Sequence, residues 1–171
     1  LVWAKKRSGG DDNVWFDSSR GVQKELISNS TAAEATKSEA ISSFDADGFT
    51  TGANGALNAS GSTYVAWCWK AGGGTTSTNN DGNVTTTVQV NEATGFSIIK
   101  TANTDFHESR TFGHGLGNVG NGIPDLFIIK PLQRTDEWRV YTSANSYAGF
   151  LQLNSTATQT NVTTNVTSST F

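Results

Sequence analysis

Leu1-Val2-Trp3-Ala4, the polar stretch Lys5 to Asp12, and Asn13-Val14-Trp15-Phe16-Asp17 together decide the fold class. Two short runs of apolar, β-branched and aromatic residues are separated by a turn carrying Gly9, Gly10, Asp11 and Asp12. That pattern reads as an antiparallel hairpin, because such side chains fit a pleated, half-buried surface and Gly and Asp favour the turn. A third short strand follows over Gln23 to Ser28.

The same grammar continues outward along the chain. Thr31 to Ser42 holds Ala32, Ala33, Ala35, Ala40 and Ile41, which favour helix by propensity, but strands flank it on both sides. It reads as an irregular connection, with a short helix as the alternative. Phe44-Asp45-Ala46-Asp47-Gly48-Phe49-Thr50 reads as a tight turn between strand ends. Ser62 to Lys70 places Tyr64, Ala66 and Cys68 on one face and Val65, Trp67 and Trp69 on the other, which suits a central sandwich strand. Ala71 to Asp81 contains Gly, Ser, Thr and Asn with no large apolar residue and reads as a linker or long loop. Gly82 to Val90, Gly95 to Lys100, Leu126 to Lys130, Trp138 to Thr142 and Gly149 to Leu153 read as further strands. The fold class expected is all-β, an antiparallel β-sandwich of the jelly-roll or concanavalin-A-like kind.

Composition narrows the functional classes. The chain has 171 residues, 35% hydrophobic, with a net charge of −3. No basic stripe is present, which argues against nucleic acid as a partner. The apolar runs are far shorter than the roughly 20 residues that a membrane-spanning helix needs, so no membrane insertion is expected. Cys68 is the single cysteine, which leaves no intrachain disulfide. The absence of Met and of a leader pattern suggests a piece of a longer chain.

The strongest internal feature is a duplication at an offset of 125 places. Leu1 falls on Leu126, Lys5 on Lys130, Asp11 on Asp136, Ser18 on Ser143 and Leu26 on Leu151. Asn29-Ser30-Thr31-Ala32 falls on Asn154-Ser155-Thr156-Ala157 without a mismatch. Phe44 meets Phe171 after a two-residue insertion. A period of this length is domain-sized, too long for a solenoid repeat or propeller blade. The favoured arrangement is the C-terminal part of one β-sandwich module over 1–72, a linker over 73–82 and the N-terminal part of a second module over 83–171. The rival is one pseudo-symmetric sandwich over 1–171.

Several segments carry a family resemblance. Leu1 to Arg7, Asp12 to Gly21, Phe44 to Phe49 and Tyr64-Val65-Ala66-Trp67-Cys68-Trp69-Lys70-Ala71-Gly72-Gly73 resemble a repeated, uncharacterised domain of structural and tail-fibre-like proteins of marine tailed phages. Gly113 to Gly117, Pro124 to Lys130 and Trp138 to Tyr141 resemble the leading half of the same module, and Asn118 to Gly122 departs from its pattern. The resemblance implies a concanavalin-A-like sandwich on the exterior of a virion, with other virion proteins as partners. It brings no catalytic residues.

His114 lies between two glycines without a nucleophile motif, and reads as a loop histidine bonded to backbone, with ligand contact as the alternative. His107 and Glu108 are too few for a zinc site without further carboxylates. Asp45 and Asp47 beside Gly48 read as turn-capping residues, with a structural Ca²⁺ site as the alternative. Asp11 and Asp12 suit a solvated hairpin tip. Trp67 and Trp69 read as core filling, with a glycan-stacking platform as the alternative. The expectation is a non-enzymatic virion component without a cofactor: a tail fibre, receptor-binding or capsid-decorating homo-oligomer, trimeric in the simplest case, engaging a host surface glycan. A secreted bacterial carbohydrate-binding module or lectin is the runner-up.

Overall fold

A computed structural model describes residues 1–102 and 110–171. The chain is all-β, and among the described residues every pairing between strands is antiparallel. It divides into two compact units.

The first unit comprises Leu1–Trp69 with Pro131–Glu137. Its strands are β1 (Val2–Lys6), β2 (Asn13–Phe16), β3 (Lys24–Ile27), β4 (Ala35–Thr36), β5 (Ile41–Phe44), β6 (Phe49–Thr51) and β7 (Tyr64–Cys68), with one helical turn, α1, over Gly55–Asn58. Five of them form a sheet in the order β4-β3-β2-β1-β7, and β5 pairs with β6. Val2, Ala4, Val14 and Phe16 alternate onto one face of the large sheet and pack with Ala40, Ile41 and Leu57. This is the period-two burial that the opening hairpin predicts.

The structure corrects two details of the sequence reading. Among the described residues β7 is an edge strand, not a central one, because it pairs there with β1 alone. An apolar run on both faces does not by itself reveal how many neighbours a strand has. The Ala-rich segment before β5 forms the short β4 and no helix, because Lys24 and Glu25 offer Thr36 and Ala35 a ladder. Tertiary pairing overrides helix propensity there.

The second unit comprises Lys70–Lys130 and Trp138–Phe171. Its strands are β8 (Ser77–Asn79), β9 (Thr86–Asn91), β10 (Phe96–Lys100), β11 (Leu126–Ile129), β12 (Arg139–Thr142), β13 (Gly149–Gln152) and β14 (Thr160–Asn161). They form two sheets, β10-β9-β8 and β11-β12-β13-β14. β8 lies inside the stretch that composition marks as a linker, where Ser77 pairs with Val88 and Asn79 with Thr86. Phe127, Tyr141 and Phe150 form the core of the four-stranded sheet with Ile129, Tyr147, Val166 and Phe171 around them.

The four-stranded ladder of the second unit repeats the β1-β2-β3-β4 ladder in register. Val2↔Phe16, Trp3↔Trp15 and Ala4↔Val14 correspond, at the 125-residue offset, to Phe127↔Tyr141, Ile128↔Val140 and Ile129↔Arg139. Val14↔Ile27 and Trp15↔Leu26 correspond to Arg139↔Gln152 and Val140↔Leu151. Lys24↔Thr36 and Glu25↔Ala35 correspond to Gly149↔Asn161 and Phe150↔Thr160.

Local hydrogen bonds follow the same offset. Asn29 accepts from the Asn13 amide at 2.7 Å, and Asn154 from the Trp138 amide at 2.8 Å. The Ser28 amide donates to Asn13 at 2.9 Å, and the Leu153 amide to Trp138 at 3.0 Å. Ser30 and Ser155 accept from Ala32 and Ala157 at 3.2 and 3.1 Å. The Asn and Ser of the shared Asn-Ser-Thr-Ala stretch therefore have a structural reason: the Asn side chain satisfies the amide at the start of the second strand, and the Ser side chain the amide two residues on, past the third strand.

Candidate functional site

The most distinctive surface of the first unit is a cross-strand aromatic row. β2, β1 and β7 place Trp15, Trp3 and Trp67 directly opposite one another. Ring centroids lie 5.5 Å apart for Trp3–Trp15 and 5.7 Å for Trp3–Trp67, at tilted angles. Such tilted pairs are favourable arrangements for rings whose faces are electron-rich and edges electron-poor. The Trp3 indole N–H donates to Ser28 Oγ at 2.9 Å, which fixes the ring, and the Ser28 hydroxyl donates on to the Asn13 carbonyl at 3.2 Å.

Exposure rises along this row toward the edge of the sheet. Leu26, opposite Trp15, is buried, Trp15 and Trp3 are half-buried, and Trp67 is 47% exposed. Trp69, two residues on, is 39% exposed. The expectation that Trp67 and Trp69 fill the core is therefore corrected: the core takes the face bearing Val2, Ala4, Val14 and Phe16. The tryptophans occupy the opposite face because alternation puts them there. They offer flat apolar surface with a polar indole N–H, a combination able to stack on a sugar ring.

His114 is buried in the second unit, 1% exposed. Its Nδ1 accepts from the Leu116 amide at 3.0 Å, so the ring proton sits on Nε2 and points to the Thr167 carbonyl at 3.3 Å. Burial pushes its pKa below 6.5, against the opposing pull of the Thr167 carbonyl and Asp81. Gly115 takes φ of +73°, and a Cβ there would lie 2.6 Å from Val90 Cγ2, so the turn that aims the ring needs glycine. His114 thus ties the loop to the tail, with both nitrogens engaged by backbone.

The acidic candidates are engaged locally. Asp45 accepts from the Thr50 hydroxyl at 2.9 Å, and its amide donates to Gly48 across the hairpin turn at 2.9 Å. Asp47 is exposed at the same turn. Among the described residues no three His, Cys, Asp or Glu side chains gather as a metal would require. Asp11 pairs with Lys6 at 2.9 Å, which lowers its pKa, and Asp12 accepts from Asn29 at 2.9 Å. His107 and Glu108 lie outside the described residues.

Sequence reading missed a heavily bonded side chain of the first unit. Arg20, with its side chain 6% exposed, meets Asp17 at 2.6 Å and Glu34 at 3.0 Å. It also donates to the carbonyls of Lys24 at 3.0 Å and Trp15 at 3.2 Å. The guanidinium fork suits such a node, since it carries five donors in a fixed plane. The Asp17–Arg20 spacing was visible in the sequence, but the link to Glu34 depends on folding β3 against β4.

No curated protein and no solved structure matches the chain. One family model matches residues 1–171, the full length, and bridges both units without a break. The chain belongs to the family described as "Domain of unknown function (DUF7483)".

Proposed function

We propose that this chain is a non-enzymatic building module of the exterior of a tailed phage, part of a tail fibre, receptor-binding or capsid-decorating protein. The observation that carries the reading is the four-strand ladder laid down twice in one register with different side chains. A duplicated β-sandwich module supplies stiff, repeated spacing, and its loops are the parts left to meet other molecules. The partners are other virion proteins and further copies of the same chain, with a trimer the simplest symmetric assembly. Repeated display makes weak single-site attachment to a host surface glycan sufficient. The segments resembling phage structural repeats support this location. An antibody raised against the chain is expected to decorate the outside of intact particles in electron micrographs; particles that remain bare while lysates react would overturn the assignment.

A second reading, a secreted bacterial carbohydrate-binding module or lectin, is favoured by the exposed Trp67, packed against Trp3, and the exposed Trp69. Its test is a glycan array with the purified chain. Binding that disappears in both Trp67→Ala and Trp69→Ala supports it, and an array without signal removes it.

A further inference from the structure

We infer that a cavity against β9 is a binding site for one neutral hexopyranose ring, such as the end unit of a glycan. All of its lining residues belong to the second unit. The inference gives the proposed glycan attachment a place, and its link to host attachment rests on that reading.

The cavity measures about 700 Å³, and Ser77, Val88, Val90, Asn91, Glu92 and Lys70 are among its lining. Pockets that hold small ligands run from roughly 300 to 1,000 Å³. Strand alternation puts Val88 and Val90 on one face of β9, and Ser77, paired with Val88, shares that face. Gly72 and Gly115 approach β9 as bare backbone. A Cβ on Gly72 would lie 3.1 Å from the Val90 carbonyl oxygen, and one on Gly115 2.6 Å from Val90 Cγ2.

The polar lining is held in place and only half used. Asn91 stands before a single 3-10 turn, Glu92–Thr94, yet its side chain caps no amide there. Asn54 and Thr142, in the same position before their own turns, do cap. Asn91 Nδ2 instead donates to the Lys70 carbonyl at 2.9 Å, which fixes the side chain and leaves Oδ1 unbonded among the described residues. Glu92 repeats the plan: Oε1 accepts from Asn118 Nδ2 at 3.1 Å, and Oε2 is unbonded among the described residues. The Ser77 hydroxyl and the Lys70 ammonium likewise have no partner among the described residues.

Two acceptors on consecutive residues, each anchored by its other atom, match two neighbouring O–H donors at little ordering cost. The valine face beside them matches a C–H surface. A pyranose ring carries both, with vicinal hydroxyls at its edge and C–H groups on its face. Ser77 can donate or accept, and Lys70 can donate, to the remaining ring oxygens. The Glu92 carboxylate repels a sugar acid, so the ring is a neutral one.

The test is an amide NMR titration of the full chain with methyl glucoside, methyl galactoside, methyl mannoside and N-acetylglucosamine. At least one is expected to shift the Gly72, Ser77, Val90 and Glu92 amides saturably, with a Kd of about 1 mM. Mannitol, with the hydroxyls but no ring face, should give no saturable shift. Glu92 is exposed, so Glu92→Ala should keep the rest of the spectrum while weakening binding by about tenfold, the loss of one charge-assisted hydrogen bond. No saturable shift with any of the four sugars, equal binding of mannitol, or unchanged affinity in Glu92→Ala overturns the site. Bare particles with a sugar-binding cavity would overturn the virion location alone, and labelled particles with a silent cavity this site alone.

Discussion

The two meanders, β1 to β4 and β11 to β14, share a ladder and a set of loop hydrogen bonds, yet almost no core side chain is the same. Val2 and Phe16 in one become Phe127 and Tyr141 in the other, and Ala4 becomes Ile129. The corner before the third strand shows the contrast best. Arg20 bonds the Lys24 carbonyl at 3.0 Å and the Glu34 carboxylate at 3.0 Å. Asn145, its counterpart, approaches the Gly149 carbonyl at 3.5 Å and the Gln159 amide oxygen at 2.8 Å. One corner is closed by a buried ionic node, the other by neutral amides, and both hold the same strand pairing. Register therefore follows the placement of turns and amide acceptors more than the identity of the packed side chains.

The largest effect should come from the ionic corner. Arg20→Ala leaves Asp17, 3% exposed, without its charged partner and should cost about 3–5 kcal/mol by urea denaturation. Asn145→Ala removes only neutral bonds and should cost about 1 kcal/mol. Equal losses at the two corners would break the contrast.

His114 supplies the next effect. The folded second unit holds the ring neutral because burial penalises its charge, and a proton on Nδ1 would face the Leu116 N–H. A depressed folded pKa means that the histidine's contribution is complete above pH 6.5 and is lost as pH falls below it. Thermal melts from pH 7.5 to 5 should show that decline, and His114→Gln should flatten it at a cost of about 2 kcal/mol at pH 7.5. A variant that keeps the full decline would assign it elsewhere.

Glu25 gives a smaller effect of opposite sign. It occupies the core-facing position held by Phe150 in the second meander, and Lys37 approaches its carboxylate at 3.9 Å. Burial raises its pKa above 4.5, against the pull of Lys37, with Asp12 adding to the rise. A raised folded pKa means that stability is highest below pH 4.5 for this group and falls as the carboxylate ionises. Glu25→Gln should therefore stabilise by about 1 kcal/mol at pH 7 and by nothing at pH 3.5. Destabilisation at pH 7 would show that the Lys37 pairing outweighs the burial penalty. The smallest effect belongs to Trp67→Ala at the exposed end of the aromatic row, which should shift stability by no more than about 0.5 kcal/mol. A larger loss would mean that Trp67 is structural.

Much of the fold was legible because its signals are local. The hairpin at β1 and β2, the strands at β3, β10, β11, β12 and β13, and the Asp45–Gly48 turn all follow from alternation and turn residues. The offset of 125 was legible from Asn29–Ala32 and Asn154–Ala157, whose Asn and Ser side chains make identical caps. The candidate site was less so. Two apolar faces on Tyr64–Lys70 do not reveal which face the core covers, so Trp67 and Trp69 read as buried. β4 and β8 are two- and three-residue strands in polar sequence, formed only because a longer strand stands beside them. The Arg20–Glu34 pair joins residues fourteen apart across a corner, and no periodicity announces it.

The aromatic row has one more consequence. At the positions of Trp3 and Trp15 the second meander carries Ile128 and Val140, on the side of its sheet opposite Phe127 and Tyr141. That side of the two ladders carries different side chains on one strand pairing. Randomising positions 3, 15 and 67 would then yield a panel of differently faced proteins sharing one skeleton, so new recognition surfaces can arise without redesigning what holds the strands together.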